Sequence, residues 1–390
     1  MWNGKSIDYD GPHLSDPDAV IPLLAYLSRM KVDDIFFSTD LPVLTLHKGE
    51  MLSVTRYTLN GSQVERVLKK ITRSDNVTAK VGSGTDHDSA VNVGDPHEVD
   101  DVGEPLQHRF RLNITGGFAG SGGDSYDATL RRINSVPLTL DQVGFPKELR
   151  KRFAVTQGSF LIAGPTGSGK STTFAACQRE ILEGDTPIKG KIVTYEAPVE
   201  YLFHSIKSAH SYVHQAEIGR HLPSFAAGVR NSLRRHPSLI VIGEIRDTET
   251  IEAAHEVAAA GHPLFATTHA NSCLEIIQRL VLNFPVAQHD RMFAAQVNAS
   301  RLFMSQVRIR GSDGEMVVLR DYLYLTNADK QRLLEAGYSQ HIPVLRELME
   351  NPENACPMRR SIDEAYHAGH LDDQLRRTLY RTYGEDEDGL

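Results

Sequence analysis

Apolar residues recur along the first part of the chain at two different periods. Val20, Leu23, Leu24, Leu27 and Met30 stand three and four apart, the spacing of a helix with one buried stripe. Two short apolar runs follow, 35–37 and 43–46, with Asp40, Leu41 and Pro42 as the turn between them, and these predict strands. Ser62 and Glu65 have the spacing of a capping box ahead of Val64, Val67, Leu68 and Ile71, a second helical stripe. The mixture predicts a small α+β unit. Between 74 and 108 the pattern lapses: eight acids face the single base Lys80. So little apolar surface cannot offset the entropy of ordering, so this stretch is predicted to be a mobile inserted loop. Its histidines, His87, His97 and His108, lack metal-ligand spacing. Residues 109–114 alternate as a strand again. The glycine-rich stretch 116–123 lacks a lysine and a helix start, so it reads as a flexible connection before the apolar and basic run 128–133. Pro137, Gly144 and Pro146 then mark a linker.

Beyond Phe153 strands and helices alternate. Strands are predicted at 159–163, 191–195, 239–242 and 264–268, and helices at 171–182, at 224–235 from a Ser224 cap, at 248–260 from a Thr248 cap and at 271–282 from an Asn271 cap. Short, uniformly apolar strands are those of a parallel sheet covered on both faces. This predicts an α/β nucleotide-binding core. A β-hairpin follows, 305–310 and 315–324 joined through 311–314, then helical patterns over 328–381. The resulting division is an α+β domain at 1–135 with an acidic insert at 74–108, a linker at 136–147, the core with its C-terminal helices at 148–375, and an acidic tail at 376–390.

Composition narrows the function. With 390 residues the chain is long enough for two cores. A formal charge of -8 and a pI near 6.1 leave no footprint of a general nucleic-acid binder, so no direct nucleic-acid partner is expected. Cys177, Cys273 and Cys356 are distant and odd in number, which argues against a disulfide framework or a zinc site and for a reducing compartment. No apolar run has the length of a transmembrane helix and no signal sequence is evident, so membrane association is expected to be peripheral or through a partner.

The stretch Gly164, Pro165, Thr166, Gly167, Ser168, Gly169, Lys170, Ser171, Thr172 fits the phosphate-loop pattern G-x-x-x-x-G-K-[ST], with a strand pattern before it and a helical one after. Glycines let the backbone wrap a polyphosphate with its N–H groups inward, and the helix N-terminus adds partial positive charge. Lys170 is expected on the β- and γ-phosphates of ATP and Ser171 on its magnesium. Phosphoryl chemistry also needs an acid at the end of a neighbouring strand. Glu244 closes the buried run 238–243, a Walker B acid expected to reach the magnesium partly through water. Glu196 and Glu200 bracket Pro198 at the end of another strand, where the proline can aim an acid at the nucleotide. His262 and His269 lie at the two ends of the strand 264–268, which suggests sensing of the γ-phosphate, although a lone histidine is more often a structural hydrogen bonder.

Taken in order, 164–172, 194–200, 242–247 and 261–272 resemble the Walker A, Asp box, Walker B and His box of the PilT-like secretion traffic ATPases. Residues 32–35 and 41–42 are similar to the start of that family's PAS-like domain, and 109–113 to its arginine-bearing strand. The resemblance implies a RecA-like P-loop NTPase core with an N-terminal α+β PAS-like domain and a C-terminal helical region. It also implies a homo-hexamer that hydrolyses Mg-ATP on the cytoplasmic face of the inner membrane, attached to a membrane-embedded secretion or conjugation complex. Glu196 then matches the acid that orients the attacking water, with Glu200 in support, and Arg109 and Arg111 match arginines that approach the nucleotide, with Arg131 or Arg132 assisting. Ala197 stands where many members carry Asp, and Ser238 where an acid often opens Walker B. The Tyr-Glu-Ala-Pro variant and the insert before Arg109 look most like the DotB and TraJ branch of type IVB secretion and plasmid conjugation. Pilus retraction and a nucleotide-gated docking platform with little turnover are the alternatives; a RecA-type DNA motor also shares a phosphate loop, though the acidic balance argues against it.

Overall fold

The apolar stripe of the first segment forms helix α1 (Val20–Arg29), which buries Val20, Leu23, Leu24 and Leu27. The structure, a computed structural model, describes residues 4–7, 9–99, 103–119, 124–133 and 136–383. It comprises two compact units, Met1–Ser135 with Ala197–Tyr201, and Val136–Glu196 with Leu202–Leu390. Among the described residues no helix is long and apolar enough to cross a membrane.

In the first unit α1 is followed by strands β1 (Asp34–Ser38), β2 (Leu44–His47) and β3 (Glu50–Ser53), then helices α2 (Gly61–Thr72) and α3 (Val77–Gly82), and then the long strands β4 (His87–Val99), β5 (Pro105–Phe118) and β6 (Asp124–Ile133). They form one antiparallel sheet in the order β3-β2-β1-β6-β5-β4. Its buried face carries Phe37, Phe110, Leu112 and Leu130, packed on α1 and on Val64, Val67 and Leu68 of α2.

The mobile loop expected over 74–108 is corrected by α3 and this sheet for 77–99 and 105–108, while 100–102 lie outside the described residues. β4 and β5 pair along most of their length, Val91 opposite Phe110 and Val93 opposite His108, so backbone hydrogen bonds and a few inward valines supply what the acidic composition lacks. One acid of the stretch is fully buried: Asp95 pairs with Arg29, lies 2.8 Å from His108 Nε2 and accepts from the backbone of His97 at 2.9 Å. The His108 and Arg29 hydrogen bonds outweigh the burial and hold its carboxyl well below the usual range. The run 128–133 is strand β6, and 116–118 extend β5, whereas 120–123 of the expected flexible connection lie outside the described residues. The capping box is also displaced. Asn60, not Ser62, caps α2, its side chain accepting from Gln63 N at 2.9 Å while Gln63 Oε1 accepts from Asn60 N at 3.0 Å.

The second unit holds β7 (Gly158–Ala163), α4 (Lys170–Glu183), β8 (Gly190–Glu196), β9 (Ser211–Glu217), α5 (Phe225–Ser232), β10 (Leu239–Ile242), α6 (Thr248–Ala259), β11 (Pro263–Thr267), α7 (Glu275–Val281), α8 (His289–Ala299), β12 (Ser300–Arg310) and β13 (Met316–Tyr324). It ends with α9 (Asn327–Ala336), α10 (His341–Met349), the short β14 (Ala355–Cys356), α11 (Met358–His367) and α12 (Asp373–Tyr383). The eight strands order as β14-β13-β12-β7-β11-β10-β8-β9, parallel from β12 through β9, with β13 and β14 antiparallel at the other edge. β7, β10 and β11 are buried at every position, as the unbroken apolar runs predict.

Three boundaries differ from expectation. Asp247 caps α6 by accepting from Thr250 N at 2.8 Å, one residue before the expected Thr248. α7 starts at Glu275 without a side-chain cap, because 271–274 are held in a loop described below. α12 runs through the tail boundary set at 376, since Leu379 is buried in a cluster with Ile362 of α11, while 384–390 lie outside the described residues.

Candidate functional site

β7, β11, β10 and β8 are neighbours in a parallel sheet, so their carboxyl ends open on the same edge. Each end carries a sequence-predicted residue: the phosphate loop after Ala163, Thr268 and His269 after β11, Gly243 and Glu244 after β10, and Glu196 as the last residue of β8. Carboxyl ends are where ligands bind in open α/β sheets.

The phosphate loop has the backbone its glycines allow. Gly164, Gly167 and Gly169 have φ of 143°, 79° and 90°. A Cβ on Gly164 would lie 2.2 Å from the Gln306 carbonyl oxygen, so only glycine fits against β12 there. α4 begins at Lys170, which directs its N-terminal partial charge at the loop. Lys170, almost fully buried, donates from Nζ to the carbonyls of Gly164 at 2.7 Å and Pro165 at 3.0 Å, so its ammonium sits on the loop itself. Ser168 Oγ is buried with no hydrogen-bond partner among the described residues, and Ser171 is exposed at the first turn of α4. A buried unpaired hydroxyl, an ammonium and a helix N-terminus at one loop fit a phosphate chain, and the Ser171 hydroxyl suits a magnesium that takes most of its ligands from phosphate and water.

The carboxylates are held at the neighbouring ends. Glu196 Oε1 accepts from Thr194 Oγ1 at 2.6 Å and from Gln215 Nε2 at 3.2 Å. These donors fix the orientation of the carboxylate. Glu244 lies 3.0 Å from His269 Nε2, so Walker B acid and second histidine are joined within the site. Gly243 lets β10 approach β8 closely, since a Cβ would stand 3.2 Å from Tyr195 O and 3.3 Å from Glu196 Cα.

Other expected residues are carried by other elements. His262 precedes Pro263, which pairs with Gly158 at the start of β7, so it stands at the opposite edge of the sheet from the loop. Five strand residues, roughly 17 Å of rise, separate it from the site, which corrects its expected part in sensing phosphate within this unit. Arg109, Arg111 and Glu200 belong to the first unit. Arg109 is buried and donates to Asn92 Oδ1 at 2.9 Å and to the backbone carbonyls of Val199 at 2.8 Å and Glu200 at 2.6 Å. Arg111 makes a two-pronged pair with Asp88 at 2.7 and 3.2 Å, which raises its pKa further. Arg131 grips Asp34 in the same way, and Arg132 donates to Ser28 O at 3.0 Å. Each of these strand arginines thus has partners within the first unit.

Two supports carry no motif. Gln215, which steadies Glu196, lies on β9, an edge strand whose polar alternation gives no apolar run in the sequence. Asp321 on β13 is fully buried and accepts from the backbone N–H groups of Cys273 at 2.9 Å and Ser305 at 3.1 Å, while Ser305 Oγ donates to Asn271 O at 3.0 Å. This pair holds the loop after His269 and keeps 271–274 out of α7. Burial pushes the Asp321 carboxyl up.

Residues 117–307 match the family described as type II/IV secretion system protein. The solved Legionella pneumophila ATPase DotB superposes on the chain with a TM-score of 0.86 and 30% identity, covering 97% of this chain and 100% of that one. The chain belongs to the type II/IV secretion ATPase family. The Yersinia pseudotuberculosis ATPase DotB is 31% identical with a TM-score of 0.77, covering 97% of each chain. The type IV pilus retraction ATPase PilT of Pseudomonas aeruginosa is 28% identical over 321 residues, 82% of this chain and 87% of that one. The protein is thus an ATPase with the RecA-like core that its motifs imply, and the resemblance of its four boxes to this family is borne out.

Proposed function

We propose that this ATPase is a homo-hexameric motor that hydrolyses Mg-ATP to power a conjugative transfer or type IVB secretion system, or the pilus of such a system. It works at the cytoplasmic face of the inner membrane, bound there through membrane-embedded partners. The observation that carries the chemistry is the meeting of Lys170, Glu196, Glu244 and His269 at the ends of four adjacent strands. The likeness to DotB along nearly the whole chain supports the choice of system.

In this reading the backbone of Gly164 to Ser168 cradles the phosphates, with Gly169 and Thr172 completing the loop, and Lys170 lies along the β- and γ-phosphates. Ser171 and Glu244 would hold magnesium, which would supply neutralisation of phosphate charge. Glu196, held in place by Thr194 and Gln215, orients the attacking water and accepts its proton. His269, paired with Glu244, carries the state of that carboxylate into the loop after β11. Turnover becomes rigid-body domain motion.

Phosphate release by the purified protein tests the catalytic part. Glu244→Gln is expected to lower kcat by about 10²–10⁴ while ATP still binds. Equal rates for the two proteins would favour a docking platform with little hydrolysis. Pilus retraction is the second reading, supported by the match to PilT over most of both chains. A deletion strain that loses DNA or protein transfer supports the first system, and one that loses only surface motility supports the second.

A further inference from the structure

The phosphate loop rests on a pair of side chains that no motif contains. Gln306 on β12 and Arg320 on β13 face each other across the strand pair, and both are buried. Gln306 Nε2 donates to the carbonyl of Ser168 at 2.7 Å. Its Oε1 accepts from Thr173 Oγ1 on α4 at 3.0 Å and from Arg320 Nε at 3.3 Å. Arg320 donates its remaining arms to the carbonyls of Gly144 and Val143, each at 2.8 Å, and to Thr173 Oγ1 at 3.4 Å. These partners are uncharged, and burial pushes the guanidinium down to about 10. A buried cation that costs so much desolvation holds the Gln306 amide in one orientation: with its oxygen facing Arg320 and Thr173, its NH2 can only face Ser168.

The grip on Ser168 has a direct consequence for phosphate. In a planar trans peptide the C=O of one residue and the N–H of the next point in opposite directions. Drawing the Ser168 carbonyl toward β12 turns the Gly169 N–H away from β12. A phosphate-binding nest needs its N–H groups turned inward before the ligand arrives, because reorganising them on binding costs affinity. We propose that Gln306, oriented by Arg320, is a positioning residue that presets the Ser168–Gly169 peptide for nucleotide phosphate. The inference rests on the reading of 164–172 as the nucleotide site.

Gln306→Glu tests it with little change of shape. The carboxylate keeps both acceptor contacts and gains an ion pair with Arg320, but it sets an oxygen against the Ser168 carbonyl where a donor stood. Thermal stability is expected to be kept or raised, while KM for ATP and the inhibition constant of inorganic pyrophosphate rise about tenfold, the loss of one buried hydrogen bond. kcat is expected to change far less, because the contact serves ground and transition states alike. Arg320→Lys, which keeps the charge but not the fork, is expected to shift KM in the same direction, and the double variant to be less than additive. A merely structural role would lower kcat through the folded fraction and leave KM unchanged; that result overturns the inference. So does wild-type KM in Gln306→Glu alongside lost pyrophosphate inhibition in Lys170→Ala. If Lys170→Ala itself keeps wild-type ATP and pyrophosphate affinity, the nucleotide site reading has failed instead.

Discussion

Lys170 is the residue on which the chemistry is most exposed to test. Its ammonium lies on the loop carbonyls rather than in a core contact, so Lys170→Ala is expected to abolish phosphate release while circular dichroism and melting stay close to those of the parent. Persistent turnover would contradict the assignment. At this scale the sequence was legible wherever function demands a residue type in fixed local register: nine consecutive positions for the phosphate loop and one acid ending a buried run. It was illegible wherever a contact spans distant positions. Gln306 reaches Ser168 across 138 positions, and Gln215 reaches Glu196 from a neighbouring strand. Neither spacing exists before the sheet forms. His262 is the converse case: strand periodicity put it beside β11 correctly, but strand direction decided that it faces the wrong edge.

Helices and strands were read well where burial is one-sided or complete, and badly where hydrogen bonds replace apolar area. α2 is an instance: its stripe is plain in the sequence, but the spacing points to Ser62 as its start, whereas Asn60 and Gln63 make the reciprocal bonds. Asn60→Ala is accordingly expected to destabilise the first unit by about 1 kcal/mol, measured as a lower urea midpoint at unchanged slope. Ser62→Ala is expected to do far less. In the second unit α6 and α8 meet at His255, whose Nε2 lies 2.8 Å from Gln296 Oε1 and whose pKa burial pushes down. A depressed histidine binds its proton less readily in the folded state than in the unfolded state. Its contribution is therefore complete above the ordinary value of 6.5 and is lost as pH falls through the folded value. Melting temperature is expected to drop on acidification from 6.5 towards the folded value, and His255→Gln to flatten this part of the profile. A parent profile flat between pH 7 and 5 would contradict the shift.

For the whole molecule, a ring is the consequence of the proposed function most open to measurement. Sedimentation with ATP and magnesium is expected to give a species of six times the 43.3 kDa chain, and single-stranded DNA is expected not to stimulate turnover, given the net charge of -8. A single chain at every concentration would refute the ring. The chain by itself determined the fold class and the phosphate-loop chemistry, because hydrophobic period and loop register are local properties that survive without the fold. Only the tertiary structure decided that the described residues of 74–108 form α3, β4 and the start of β5, that the strand arginines find partners within the first unit, and which carboxylates and histidine share one edge. Those outcomes depend on strand order and direction, and these follow from packing between segments far apart in the chain.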